Sequence, residues 1–355
     1  MPDPADERLN VLEQAVPAVA ATKWLSRSIP ELQAPLRFTP LGGGHSNITV
    51  LVTDAVQRRV VLRRPPLGSL PRGSHDVLRE ARTMAAVSAE GIPAPGILAT
   101  CDDPDVIGAV FVVTAFVDGV VVENPADVER HLPETAQRRR AANDLVERLA
   151  ALHTLDPQAA GLGDLVRTGA FVDRQLRRFA AIWSSDRTRE LPLIDELHTR
   201  LAATRPQERY RALVHSDYRL ANTMVQPSGE VSAVLDWELA AVGDPLADLA
   251  FFLNNWEEPD GAAARVWMET PPTCAGGFPD RGQMIERYAQ LTGFDIDDLD
   301  YYRAFSWWRM AVIAEGIKNR YETGAMAKSV DMVHVARRVE WLAELADHHL
   351  RAYGA

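Results

Sequence analysis

The stretch from Ala212 to Leu253, ALVHSDYRLANTMVQPSGEVSAVLDWELAAVGDPLADLAFFL, constrains this chain more than any other. Its apolar runs Ala212–Val214 and Val231–Leu235 are short, rich in β-formers and bounded by turn residues, so they read as buried strands. Gln226-Pro-Ser-Gly229 is a turn cluster that joins strands. Between the two runs lies a polar loop containing His215, Asp217, Arg219 and Asn222, and the second run ends abruptly in Asp236. An acid at Asp217, a base two residues on, an amide five on and a second carboxylate nineteen on thus gather at strand ends. Such a set suits phosphoryl transfer. Asp217 can accept the proton of an attacking hydroxyl, and Arg219 reaches toward the transferring group. Asn222 and Asp236 offer oxygen ligands to a Mg²⁺ that bridges nucleotide phosphates and keeps several waters. Positioning and charge neutralisation do most of the work in such chemistry.

The loop resembles the kinase pattern H-x-D-x-x-x-x-N followed by an Asp at a strand end. More closely, HSDYRLAN, LDWE and GDPLADLA, in that order and at those distances, are similar to the aminoglycoside phosphotransferase and choline kinase family, relatives of the protein kinases. The resemblance spans roughly residues 20–345. It implies an α+β, two-lobed protein-kinase-like fold, with a small N-terminal lobe built on an antiparallel sheet and a larger, mostly helical C-terminal lobe. The corresponding division is residues 1–114 for the nucleotide-binding lobe with its leading helices, 115–119 for the hinge, and 120–355 for catalysis and acceptor binding. It also implies ATP and Mg²⁺ as cofactors and a hydroxyl on a small molecule as acceptor. VLRRPP and the GHSN loop are most similar to the branch of kinase-like domains joined to acyl-CoA dehydrogenases, which implies a hydroxyacyl or hydroxyacyl-CoA acceptor. No dehydrogenase or flavin segment is evident in the sequence. A nucleotide-binding pseudokinase with a regulatory role and an aminoglycoside phosphotransferase stand as the alternatives.

Composition bounds the rest. With 355 residues, 46% of them hydrophobic and 25% charged, the chain reads as an ordinary globular protein able to bury a sizeable core. No apolar run approaches a membrane span, and MPDPADERLN lacks signal character. Cys101 and Cys274 match neither a metal spacing nor a disulfide framework, so a cytoplasmic location is expected. The net charge of −11 disfavours a nucleic-acid partner.

Along the chain, residues to about Pro30 show helical spacing, and Leu36–Leu41, Ile48–Thr53 and Arg59–Arg63 read as strands. The loop between the first two, Gly42 to Asn47, can bring backbone N–H groups to phosphate oxygens, with Gly43, Gly44, Ser46 and Asn47 as the nucleotide contacts. The third strand must present a cation, and alternation lets only one of Arg63 and Arg64 face the cleft. Flanking Val61 and Leu62 do not distinguish them; the family resemblance favours Arg63, in place of the usual Lys, paired with Glu80 on a helix over Val77–Ala89. By the same resemblance Val110–Phe116 leads into the hinge, where the carbonyl of Ala115 and the N–H of Val117 receive the adenine behind Thr114.

Helices are expected over Glu134–Leu155, Gly161–Ser185, Glu190–Ala203, Gln283–Leu291, Leu299–Tyr321 and Ala325–Tyr353. His153 reads as structural. Arg174, Arg177, Arg178, Arg309 and Lys318 are kept as contacts for an anionic acceptor, while the acidic runs 256–260 and 295–300 read as solvated surface. His215 reads as a brace for the loop, Asp244-Pro245 as a helix start, and Asp248 as an anchor for the catalytic loop. Ser216 stands where the family usually has glycine, which is expected to require a negative φ.

Overall fold

The computed structural model describes residues 11–41, 47–68, 76–257, 261, 266, 270–324 and 331–354. They fall into two compact units, one reaching Asp118 and taking in Ala233–Glu238, the other holding Gly119–Ser232 and the residues from Leu239 onward.

The first unit is built on an antiparallel sheet of β1 (Arg37–Pro40), β2 (Ile48–Thr53), β3 (Arg59–Arg64), β4 (Ile97–Cys101) and β5 (Phe111–Ala115), in the order β1-β2-β3-β5-β4. Register across β3 and β5 sets Val61 opposite Thr114 and Arg63 opposite Val112, so these four share one face. Helix α2 (Val77–Ala89) lies against that face, where Val77 and Ala81 bury with Val112. Asp76 starts α2, its side chain accepting from the Arg79 N–H. On the opposite face Val60, Leu62 and Val113 pack with Leu12, Val16 and the buried side of α1 (Ala18–Ser28). The strand β3 is therefore covered on both faces, which is why its apolar residues run together without alternation.

The second unit is mostly helical: α3 (Pro125–His131), α4 (Thr135–Thr154), α5 (Phe171–Asp186), α6 (Pro192–Ala203), α7 (Pro245–Asn254), α8 (Arg281–Thr292), α9 (Leu299–Glu322) and α10 (Met332–Ala352). The expected helix from Gly161 begins only at Phe171. Gly161 and Gly169 take positive φ, and between them lies a single 3-10 turn, Gly163–Leu165. Helix α9 is buried along most of its length, and Tyr301, Trp307 and Trp308 are core residues. Strands β6 (Ala212–Val214) and β9 (Ala241–Gly243) pair antiparallel, and the polar loop leaves the end of β6. β7 (Thr223–Val225) and β8 (Val231–Val234) form a hairpin. Its turn closes through Gly229 N–H to the Gln226 carbonyl, with Gly229 at φ +87.

Both cysteines are free. Among the described residues no helix is long and apolar enough to cross a membrane.

Candidate active site

In the first unit the cation on β3 is Arg63. Its Nη1 donates to Glu80 Oε1 at 2.6 Å and its Nη2 to Asp236 Oδ1 at 3.3 Å, while Nε is buried with no hydrogen-bond partner. Arg64 points the other way, into the core face, where its guanidinium donates to the carbonyls of Pro65, Ala15 and Ile107. The two arginines thus do different work, and their variants separate. Arg64→Met strands three buried carbonyls and is expected to destabilise the fold by about 2–4 kcal/mol, read from a denaturation midpoint. Arg63→Met leaves those carbonyls satisfied but takes the cation from the buried Glu80, so its midpoint shift is expected to be small where that carboxyl is protonated and to grow as pH rises above about 7, whereas that of Arg64→Met stays constant.

Glu80 is buried, and its pKa is pushed up to about 7, first by desolvation, against the Arg63 charge and with Asp236 and Glu238 adding repulsion. Two carboxylates, Glu80 and Asp236, thus share the one guanidinium of Arg63. Asp236 itself sits at φ +62, a conformation that costs a non-glycine residue about 1–2 kcal/mol. Asn47 donates weakly to Glu238 Oε2 at 3.5 Å, and Arg79 donates to the Glu238 carbonyl at 2.6 Å. Glu80 therefore pairs across to Arg63 and not with its helix neighbour Arg79. Gly43, Gly44 and Ser46 lie outside the described residues. Ala115 closes β5, its N–H bonded to the Gly96 carbonyl, and Val117 follows within the same unit.

In the second unit the loop after β6 carries Asp217, Arg219 and Asn222 together. Asn222 Nδ2 donates to Asp217 Oδ2 at 2.7 Å and to the Asp217 carbonyl at 2.8 Å. Arg219 Nε lies 3.6 Å from Asp217 Oδ1 without a hydrogen bond. The first four residues of the loop are each held. His215 and Ser216 N–H groups donate to the two oxygens of Asp248 at 2.6 and 2.8 Å, Asp217 N–H donates to His215 Nδ1 at 3.3 Å, and the Tyr218 hydroxyl donates to the Leu145 carbonyl at 2.8 Å. Asp248 also meets His153 Nε2 at 3.3 Å, and His153 Nδ1 meets the Tyr288 hydroxyl at 2.6 Å. His153 and Tyr288 are 135 residues apart, so nothing local could have announced that link. Burial alone would raise the Asp248 pKa, yet His153, His215 and the donated N–H groups hold it below the ordinary carboxylate value.

Ser216 overturns one expectation: its φ is +69, not negative. Its N–H is fixed by Asp248 and its carbonyl by Arg309 Nη2 at 3.1 Å, so bonds on both sides impose a conformation that serine alone avoids. Two surface readings also fail. Lys318 is tied to Thr188, Glu315 and Glu322, so it is not available to an acceptor. Glu257 is buried against Arg281, not solvated, whereas the run 295–300 keeps to the surface, with Asp295 and Asp297 exposed and Asp298 and Asp300 partly so.

Asp244 caps α7, accepting from the Leu246 N–H at 2.9 Å and from the Tyr302 hydroxyl at 2.6 Å. Desolvation raises its pKa to about 6 despite those bonds. A carboxyl raised above its unfolded value binds a proton in the native state that the unfolded chain has released. The stability it contributes is full below pH about 4 and is lost as pH rises through 6. Asp244→Asn keeps the cap, so the midpoint of the variant is expected to gain on that of the parent between pH 4 and 7 and then level off. A constant difference across that range would contradict this account.

A family model for the phosphotransferase enzyme family matches residues 37–270. The chain belongs to that family. Among its relatives is acyl-CoA dehydrogenase family member 10 of Mus musculus, 30% identical over 337 residues; the match covers 94% of this chain but 31% of that protein. A solved protein from Ralstonia eutropha JMP134, provisionally named an aminoglycoside phosphotransferase, is 30% identical with a TM-score of 0.78, covering 94% of this phosphotransferase and 98% of the other. An aminoglycoside phosphotransferase solved in ternary complex with AMP-PNP and hygromycin B shares the fold at 18% identity and a TM-score of 0.58, over 94% of this chain and 98% of its own. The α+β kinase-like fold implied by the motifs is the fold this chain has.

Among the described residues no three His, Cys, Asp or Glu side chains converge as a self-sufficient metal site. A Mg²⁺ shared with phosphates needs only one or two protein oxygens. In the first unit, Arg63 keeps a buried Nε without a hydrogen-bond partner and the carboxylates beside it outnumber it, which suits phosphates with such an ion; in the second unit Arg219 likewise keeps a buried Nε without a partner.

Proposed function

We propose that this chain is an ATP- and Mg²⁺-dependent kinase that transfers the γ-phosphoryl group to a hydroxyl of a small acceptor, a hydroxyacyl compound or its CoA ester. The observation that carries the reading is the strapped loop, in which one partly accessible carboxylate, Asp217, is aimed by Asn222 and flanked by Arg219. Asp217 orients the acceptor hydroxyl and takes its proton as the bond to phosphorus forms. Arg219 stabilises charge on the transferring group. Arg63, oriented by Glu80, holds the nucleotide phosphates, and the backbone of Ala115 and Val117 receives the adenine. Asn222 and Asp236 are the residues assigned to Mg²⁺, which when bound neutralises phosphate charge. The hydroxyacyl acceptor is supported by the likeness to the acyl-CoA dehydrogenase family member, of which this chain spans about a third.

The test is Mg²⁺-dependent ADP release over a panel of 3- and 4-hydroxyacids, their CoA esters, aminoglycosides and choline. Stimulation by one acceptor class, lost with Asp217→Asn, is the expected result. Silence across the panel with ATP binding intact would favour a nucleotide-binding regulator instead.

A further inference from the structure

Helix α5 carries Arg174 and Arg178 one turn apart, so both stand on one face of the helix. Arg174 is consumed by carbonyls, those of Thr168, Gly169 and Val242. Arg178 is exposed, and among the described residues it pairs with no carboxylate; its guanidinium carbon lies 5.6 Å from the centre of the Phe179 ring. A second guanidinium reaches the same ring from a distant part of the chain. Arg309 on α9 lies 5.9 Å from the Phe179 centre and 5.2 Å from that of Phe251. Its Nη2 is fixed on the Ser216 carbonyl, one residue from Asp217, while its Nε is buried without a hydrogen-bond partner.

Two like charges gathered on one ring repel; Asp217 and Asp248 offset the charge of Arg309, while among the described residues no carboxylate pairs with Arg178. Aromatic faces offset part of the repulsion without neutralising it. Among the described residues of the two acidic runs, Glu257 is buried on Arg281, and Asp295 and Asp298 face Arg209.

We infer that Arg178 and Arg309 read an anionic group on the phosphoryl acceptor, so the acceptor is a hydroxylated anion and not an amino sugar or amino alcohol. This rests on the reading of Asp217 as the base, since it is Asp217 that places the acceptor beside Arg309. A carboxylate on a hydroxyacid and the phosphates of a CoA ester share this chemistry, and the two are separated by the test.

The acceptors for the test are 4-hydroxybutyrate, its methyl ester, 4-hydroxybutyryl-CoA and choline, with KM and kcat taken for the parent chain and for Arg178→Ala, Arg178→Glu and Arg178→Lys. For an anionic acceptor KM is expected to rise about ten- to a hundred-fold with Ala and further with Glu, and to recover partly with Lys, as for loss of a charge-assisted contact. The methyl ester should show a much smaller change. An effect confined to 4-hydroxybutyrate assigns the pair to a carboxylate, and one confined to the CoA ester assigns it to phosphate. Equal KM values in the parent and Arg178→Glu for both anions, or choline as the best acceptor, would overturn the inference. If the parent turns over none of the four, calorimetric titration with the same compounds decides. Arg178-dependent binding of an anion sustains the inference while removing the kinase reading, and no binding removes both.

Discussion

Asp217→Asn is expected to lower kcat by about 10²–10⁴-fold, the range a positioned general base contributes, while ATP affinity stays within a factor of about three. Asparagine preserves the shape, and the Asn222 amide still has the backbone carbonyl of residue 217 to bond. What disappears is the anion that Asn222 and Arg219 face from either side. The split between the two readouts is what tests the assignment. Loss of nucleotide binding together with turnover would mean that Asp217 supports the loop and is not the base. Turnover within tenfold of the parent would mean that the proton leaves by another route. The measurement is single-turnover ADP formation beside equilibrium binding of an ATP analogue.

Much of the fold was legible because local signals agreed with tertiary ones. The Val77–Ala89 helix, the strand pair around Gly42 to Asn47 and the Gln226–Gly229 turn all follow from period or turn chemistry; the helix and the second strand match the structure in their bounds, and the first strand is one residue shorter at each end than Leu36–Leu41. The choice between Arg63 and Arg64 was not legible from pattern. Both faces of β3 are covered, by α2 on one side and by the N-terminal helical residues on the other, so no apolar-polar alternation marks which face is which. The left-handed turn at Ser216 was missed for a different reason. Its causes, Asp248 and Arg309, lie 32 and 93 residues away, and no window around Ser216 contains them. The same holds for Glu257, whose burial depends on Arg281 and on Thr273, which bonds both its N–H and its carbonyl. Acidic composition suggested solvent; partners brought in by distant chain made it core. The misplaced start of α5 was readable, since Gly161, Gly163 and Gly169 interrupt a helical period that was followed through them.

Asp248 supplies the second large effect. It is buried and accepts the successive backbone N–H groups of His215 and Ser216 as well as bonding His153. Asp248→Ala leaves those two N–H groups without acceptors and removes the bond that holds Ser216 at positive φ. Each buried unsatisfied donor costs about 1–3 kcal/mol, and removing one partner from a buried charged network costs about 3–5 kcal/mol in all. Against a total stability of about 5–15 kcal/mol this is a large fraction, so the denaturation midpoint is expected to drop sharply. Asp248→Asn turns an NH₂ toward one of the same N–H donors and should fare little better. Because such variants can fail to fold, His153→Gln is the companion: it keeps the carboxylate and its two N–H bonds and alters the third, together with the bond to the Tyr288 hydroxyl. Its stability should fall by about 1–3 kcal/mol, with kcat reduced and the KM for ATP little changed. A folded Asp248→Ala protein with the parent's midpoint and turnover would show that the loop holds its shape without this strap, and the positive φ of Ser216 would then need another cause.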